Sequence, residues 1–230
     1  MDTSLYAVLG LGFVLGIRHA TDADHVAAVS TLVSEHRSLT RSCLLGTFWG
    51  LGHTMALLAA GIATTALRFS ISPELERSLE KVVGGMLVLL GGHVLLKSLA
   101  AWSRHTHEHV HGPYSLRHSH SHPDAAAQRQ DHAHLLSMGR RPFIVGLVHG
   151  MAGSAALILV VAAALPSPVG GVLYILVFGA GSTIGMLLVS GLIGLPFVLT
   201  AERSPRALAV IQLLAGVTSS GLGVTLLWSP

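Results

Sequence analysis

Six apolar segments follow one another along the chain, separated by short turns that contain polar residues or proline. Each segment is at least roughly 20 residues long, which is the length that a helix needs to cross a lipid bilayer. The segments are Leu5–Val33, Cys43–Leu67, Leu79–Trp102, Pro142–Leu165, Val169–Leu195 and Ala207–Trp228. This pattern predicts an all-α polytopic membrane protein with about six transmembrane helices.

The composition agrees with a location in the lipid bilayer. Hydrophobic residues make up 51% of the chain and charged residues only 11%, whereas soluble domains carry about 25% charged residues. The formal net charge of +3 comes mostly from loops between the apolar segments, so membrane topology explains it and no nucleic-acid partner is expected. The single cysteine, Cys43, excludes an internal disulfide and a cysteine-based metal cluster.

The distribution of basic residues predicts the orientation and the organisation of the chain. Ten loop lysines and arginines fall on one side of the predicted membrane, and only Arg68, Arg77 and Lys81 fall on the other. By the positive-inside rule, both termini of this multi-pass protein of the cytoplasmic membrane face outward. The predicted units are a three-helix unit at 1–102, a cytoplasmic loop at 103–141 and a second three-helix unit at 142–230.

The two halves resemble each other in the spacing of glycine and histidine. The matching positions are Gly16 and His19 with Gly146 and His149, Gly50 and Thr54 with Gly179 and Thr183, and Gly85 and Gly92 with Gly216 and Gly223. The offsets of 130, 129 and 131 residues are nearly constant across three segments. Because three spans is an odd number, the second copy would enter from the opposite side, which predicts the 3+3 inverted repeat typical of transporters. Chance similarity between glycine-rich segments is the alternative.

One short stretch of the first segment carries four ionisable side chains. It reads His19-Ala-Thr-Asp22-Ala-Asp24-His25. Each such group costs at least about 2.5–3.5 kcal/mol inside a membrane, so these residues indicate an ion or substrate pathway. Imidazole and carboxylate ligands suit a divalent transition metal. On a straight helix His19, Asp22 and His25 share one face, whereas Asp24 points elsewhere and can pair with Arg18. A polar network that only joins helices is the alternative.

Other histidines in the apolar segments are weaker candidates. His53 lies in the middle of the second segment, and its repeat partner is Ser182, a weaker ligand. His149 is the repeat counterpart of His19. For both histidines a structural hydrogen bond between helices is the alternative to metal ligation. We expect His93, which stands among glycines and leucines, to be structural.

The long polar insert is rich in histidine. It contains nine of them: His105, His107, His109, His111, His118, His120, His122, His132 and His134. Such tracts bind divalent metals weakly, and without a cysteine the spacing fits no structural zinc finger. We expect a disordered cytoplasmic loop that collects or senses metal, with an inert solvated linker as the alternative.

The stretch Arg18–His25 resembles the His-x4-Asp-His signature of the nickel/cobalt transporter (NiCoT) family of permeases. Leu51–Thr54 is similar to a second motif of that family. The resemblance implies high-affinity uptake of Ni(II) or Co(II), with key roles for His19, Asp24 and His25. Compared with the eight-span members, we expect the chain to lack one initial helix, and a later Asp-Thr-x-Thr-Glu motif of those members does not occur in the sequence. It is therefore similar to the short six-helix branch of H-type urease accessory permeases.

Taken together, the residues and the resemblance predict a permease that imports Ni(II), with Co(II) as a second cargo, across the cytoplasmic membrane. The candidate metal-binding residues are His19, Asp22, Asp24, His25, His53 and His149. The metal is cargo, no resident cofactor is expected, and the protein is not expected to be an enzyme. The alternatives are a nickel/cobalt efflux protein, a membrane-bound delivery partner of a nickel enzyme with maturation proteins as partners, and an intramembrane metal-dependent hydrolase. The hydrolase is disfavoured because no span carries a separate acid/base glutamate.

Deleting residues 103–137 distinguishes a permease from a loop-based metal donor. Because a permease holds its ion between helices, we expect the deletion variant to retain measurable nickel flux, as read by accumulation of radioactive nickel in cells. If the chain is instead a metal donor that works through the insert, the deletion should stop it from supplying nickel to an enzyme. Membrane abundance of the variant, measured by immunoblot, is the control.

Overall fold

The computed structural model describes residues 3–66, 72–102, 135–152, 155–201 and 203–229. Within these residues the regular structure consists of eight α-helices, without a strand. The predicted all-α class is therefore confirmed for the described part of the chain. The histidines of the insert, at residues 105–134, lie outside the described residues, as does Arg68.

The helices are α1 (Thr3–His19), α2 (Ala23–Ser34), α3 (Leu39–Ala66), α4 (Pro73–Trp102), α5 (Leu135–His149), α6 (Ala155–Ala163), α7 (Pro168–Ala201) and α8 (Pro205–Trp228). Four of them, α3, α4, α7 and α8, are long and apolar enough to cross a membrane, and α1 is a shorter apolar helix. The chain is thus a membrane protein. α5 begins at Leu135, inside the range 103–141 that the sequence assigns to a loop.

Two of the predicted apolar segments are each divided between two helices. The first segment forms α1, which ends at His19, and α2, which begins at Ala23. The fourth forms α5, which ends at His149, and α6, which begins at Ala155. Each half of the chain therefore starts with a helix that stops at a histidine and a short second helix, followed by two long helices.

The polar residues of the motif explain the first break. The Thr21 hydroxyl donates a hydrogen bond to the Arg18 carbonyl at 2.6 Å, and the Thr21 N–H donates to the same oxygen at 2.9 Å. Such local bonds give the backbone an alternative to the helix. Asp22 then adopts an extended conformation, with φ −62° and ψ 147°. The first segment is therefore a broken helix, and the straight-helix geometry, on which His19, Asp22 and His25 would share one face, does not apply.

Glycines bring the helices into backbone contact around the centre of the fold. α3 packs on α7, α1 packs on α7, and α5 packs on α3. A Cβ atom at Gly16 of α1 would overlap the carbonyl oxygen of Phe178, and one at Gly146 of α5 would overlap that of Trp49. Small residues of this kind allow close helix packing in lipid, where the hydrophobic effect does not drive helices together. The two contacts are equivalent, because α1 lies on α7 as α5 lies on α3.

The glycine contacts between α4 and α8 use other positions than those matched in the sequence. Gly85 has no atom within 4 Å of an added Cβ, and the same is true of Gly92. Their neighbours Gly84 and Gly91 approach α8 instead, facing the backbone of Gly223 and Gly216. Gly84 and Gly91 are seven residues apart, as are the two glycines of α8 that they contact.

Adding a methyl group at Gly16 is expected to destabilise the fold. The Gly16→Ala side chain overlaps the carbonyl oxygen of Phe178, and overpacking of this kind costs about 1–3 kcal/mol. Gly10→Ala in the same helix meets no atom within 4 Å and is the matched control. Thermal unfolding in detergent should show a lower midpoint for Gly16→Ala alone. Equal midpoints for the two variants would contradict the packing described for α1 and α7.

Candidate metal centre

Four histidines from four helices meet in the interior of the protein. They are His19 at the end of α1, His25 in α2, His53 in α3 and His149 at the end of α5, and each is buried. The ring of His25 lies between the other three, with ring centroids 4.2 Å from His149, 4.3 Å from His19 and 5.3 Å from His53. Residues that are 124 positions apart in the chain thus share one polar cluster.

Asp24 lies beside two of these histidines. Its Oδ2 accepts a hydrogen bond from Nε2 of His149 at 2.7 Å. Its Oδ1 accepts one from the backbone N–H of His25 at 3.0 Å and lies 3.1 Å from Nδ1 of the same ring. The expected pairing of Asp24 with Arg18 is wrong, because the turn after His19 directs the carboxylate towards α5.

The side chain of Asp22 forms a hydrogen bond with the histidine that precedes it in the motif. Its Oδ2 accepts a hydrogen bond from Nδ1 of His19 at 2.7 Å, and its side chain is 48% exposed. The position of Asp22 at the entrance of the cluster differs from that of Asp24, which lies between helices. Asp22 therefore orients His19 from the solvent side.

The carboxylates determine which ring nitrogens remain available. A neutral imidazole has one N–H donor and one lone pair. Because His19, His25 and His149 each direct one nitrogen at an aspartate, the opposite nitrogen keeps its lone pair. Nε2 of His25 and Nδ1 of His149 are buried without a hydrogen-bond partner, as is Nδ1 of His53. A carboxylate behind a histidine is the usual arrangement that orients an imidazole towards a metal.

The donor atoms form two overlapping sets of three. The first set contains His19, His25 and His53, the second contains Asp24, His25 and His149, and within each set the ligand atoms lie within 4.8 Å of one another. Nε2 of His19 and Nε2 of His53 are 3.2 Å apart. Two nitrogens bound at about 2.0–2.1 Å to one ion are separated by about 3.0–3.4 Å, so this pair already has a suitable spacing.

Two aromatic side chains adjoin the cluster. The buried indole of Trp49 stacks on His25 with ring centroids 5.2 Å apart and meets the edge of His149 at 5.6 Å. Phe178 lies 5.6 Å from His19. The sequence analysis missed both. A signal was present in the sequence, because Trp49 stands four positions before His53, and Phe178 stands four positions before Ser182, the residue matched to His53 in the proposed repeat.

A cavity of about 200 Å³ opens beside the motif. Its wall includes Arg18, His19 and Asp22 from the first broken segment, together with Tyr174 and Phe178 of α7. The cluster is therefore reached from a space that already contains a carboxylate and an imidazole. His93 lies apart from the cluster, beside Glu35.

The fold and the cluster define a class of protein: an all-helical, multi-pass membrane protein with imidazole and carboxylate groups gathered between interrupted helices. Comparison with known proteins then shows its family. The chain belongs to the family of the urease accessory protein UreH, within the nickel/cobalt transporter-like proteins. It is 40% identical to UreH of Bacillus sp. (strain TB-90) over 224 residues, which cover 97% of this chain and 91% of that protein.

More distant relatives are also similar to the chain. Chloroplast protein FOR GROWTH AND FERTILITY 1 of Arabidopsis thaliana is 26% identical over 95% of the chain, which spans 58% of the plant protein. A candidate nickel/cobalt efflux system of Methanocaldococcus jannaschii is 29% identical over 107 residues, which cover 46% of this chain and 47% of that protein. No protein-family model and no solved structure matches the chain.

Removing His25 is expected to abolish stabilisation of the fold by Ni(II), because this residue belongs to both ligand sets. A ligand whose free concentration is 100 times its dissociation constant stabilises the folded state by about 2.7 kcal/mol. Ions that the folded and unfolded states bind equally well do not change this stability. Thermal unfolding with and without Ni(II) should show a shift in the wild type and none in His25→Ala. Trp49→Phe, which keeps an aromatic ring beside His25, is the control. A full shift in His25→Ala would refute the assignment.

Proposed function

We propose that the chain is a permease that imports Ni(II), with Co(II) as a second cargo, across the cytoplasmic membrane. The observation that carries this proposal is the cluster of four buried histidines, two of them beside Asp24. Within the described residues, one ring nitrogen each of His25, His53 and His149 is buried without a hydrogen-bond partner. Ionisable groups are costly inside a membrane protein and mark ion pathways. The names of two relatives, a urease accessory protein and a candidate nickel/cobalt efflux system, support nickel or cobalt as the cargo.

The ligand chemistry supports a transition metal over the more abundant divalent ions. Imidazole nitrogen suits nickel, cobalt and zinc, whereas magnesium and calcium prefer oxygen ligands. The proposed ligands are His19, His25, His53 and His149, with Asp24 as a ligand or as the group that orients two of the rings. Asp22 orients His19 at the entrance.

The proposed route begins at the cavity beside Asp22. The ion first binds to His19, His25 and His53, and it then passes to the second set, which contains Asp24 and His149. Because His25 belongs to both sets, the ion keeps one ligand during this transfer.

The proposed architecture is a 3+3 inverted repeat with six spans. In this arrangement α1 and α2 together form the first span, and α5 and α6 form the fourth. The histidine at the end of α1 and the histidine at the end of α5 support it, as does the equivalent packing of α1 on α7 and α5 on α3. The termini lie outside, and residues 103–134 lie in the cytoplasm. Movement of one repeat against the other would expose the cluster alternately to each side.

Efflux is the second candidate, favoured by the similarity to a candidate nickel/cobalt efflux system over 46% of the chain. The name of UreH supports a further proposal, that the imported ion is passed to proteins that mature a nickel enzyme. Both candidates use the same cluster, and they differ in direction and in the protein that receives the ion.

Initial rates of radioactive nickel accumulation in cells test the proposal. We expect His53→Ala and Asp24→Asn each to lower uptake at least about tenfold, since even residues that only support a metal ligand matter by that factor. Unlabelled cobalt should compete more strongly than magnesium. Glu80→Gln, a carboxylate change in α4 away from the cluster, is the control.

Whether the chain raises or lowers the nickel content of cells decides between import and efflux. A wild-type chain that lowers cell-associated nickel would replace import by efflux. Normal uptake by both cluster variants would show that the ion takes another path. Unchanged nickel in every strain would favour a membrane-bound delivery partner.

A further inference from the structure

A second group of metal-ligating side chains lies away from the histidine cluster. Glu35 follows the last residue of α2, and its Oε1 lies 3.4 Å from Nε2 of His93 on α4. The same oxygen accepts a hydrogen bond from the ammonium of Lys97 at 2.7 Å. The expectation that His93 is a structural residue among leucines overlooked this carboxylate, which comes from a distant part of the sequence.

Glu35 and His93 border a cavity of about 590 Å³ between α2, α3, α4 and α5. The side chains in its wall that can bind a metal are Glu35, His36, Met86, His93 and Met138. Imidazole nitrogen and thioether sulfur suit transition metals, and a carboxylate adds negative charge. The chemistry of this wall therefore matches that of the proposed cargo.

The inner end of this cavity approaches the histidine cluster. Leu45 and Val145 line it, and Trp49 and His149 follow these residues by four positions, which is about one helical turn. This cavity shares no lining residue with the cavity beside Asp22. The positive-inside pattern places Glu35 near the cytoplasm. The two cavities thus approach the cluster along separate routes.

The charges around Glu35 favour only brief binding of a metal ion. Burial raises the pKa of Glu35, but the hydrogen bond and the charge of Lys97 outweigh this effect, so the pKa lies below its ordinary value. The carboxylate is therefore an anion that Lys97 neutralises. Lys97 is 63% exposed, and an ion pair with such a partner is weak. Arg141 also lines the cavity, and its positive charge opposes long retention of a cation.

We propose that Glu35 and His93, which line this cavity together with His36, form a second, transient binding site for a divalent transition metal on the cytoplasmic side of the histidine cluster. Lys97 binds the carboxylate when no metal is present and is displaced when an ion arrives. The identity of the ion and its direction rest on the proposed function. The site itself gives the ion a place to bind between the cluster and the cytoplasm.

Protection of His93 from chemical modification tests this site in the purified full-length chain. Diethyl pyrocarbonate modifies accessible histidines, and the side chain of His93 is 57% exposed. Bound Ni(II) should block the reaction, and peptide mass spectrometry reads His93 separately from the histidines of the insert. We expect Glu35→Gln to raise the Ni(II) concentration for half-protection at least about tenfold, the lower end of the effect of losing a group that supports a metal ligand.

Glu80→Gln, on the same helix as His93, is the control and should leave the Ni(II) concentration for half-protection of His93 unchanged. No protection of His93 in the wild type, or equal protection in the wild type and Glu35→Gln, would overturn the site. Normal nickel uptake by His53→Ala would instead overturn the proposed function, without altering the protection measured at His93.

The variant Lys97→Met tests whether the ammonium of Lys97 competes with the metal for Glu35. Removing the ammonium leaves Glu35 free for metal, so half-protection of His93 should shift to a lower Ni(II) concentration. Methionine keeps most of the aliphatic length of lysine, which preserves packing along α4. An unchanged concentration would show that Lys97 does not compete with the metal.

Discussion

The arrangement depends on the carboxylate of Asp24, which joins the histidines of the two halves. An ionised carboxylate in an apolar interior is costly unless hydrogen-bond donors surround it. Asp24 obtains them from the backbone and ring of His25 and from the ring of His149. The start of α2 and the end of α5 are consequently held side by side, and the remaining lone pairs of both rings have no hydrogen-bond partner among the described residues.

Glycine contacts at the backbone make this arrangement possible. α1 and α5 are short helices that stop at the cluster, so they rely on close contact with the longer α7 and α3 for their position. Gly16 and Gly146 provide that contact, with no side chain between the two backbones. The cluster therefore lies where two interrupted helices meet a central pair of continuous ones, and the geometry of the ligands depends on helix packing several residues away.

The sequence predicted the long helices well and the interruptions poorly. A continuous apolar run of more than about 20 residues has few alternatives to a spanning helix, and α3, α4, α7 and α8 follow those runs. The break after His19 depends on individual hydrogen bonds of Thr21 and Asp22, which an average over apolar residues does not detect. For the candidate site, His19, Asp24 and His25 are neighbours in the sequence, whereas His53, His149 and Trp49 join them only through tertiary packing. The expected pairing of Asp24 with Arg18 assumed a straight helix, whereas the direction of the Asp24 carboxylate depends on the break after His19.

The position of His25 in both ligand sets has an energetic consequence. A neutral imidazole offers one lone pair, so in the proposed permease His25 serves one ion at a time, and the two sets are alternative positions of that ion. For the proposed permease, each cycle then carries two positive charges across the bilayer. Moving them towards a negative interior releases about 4.6 kcal/mol for every 100 mV of membrane potential. The shared histidine would thus fix the number of ions, and with it the charge, on which the membrane potential acts in each cycle of the proposed permease.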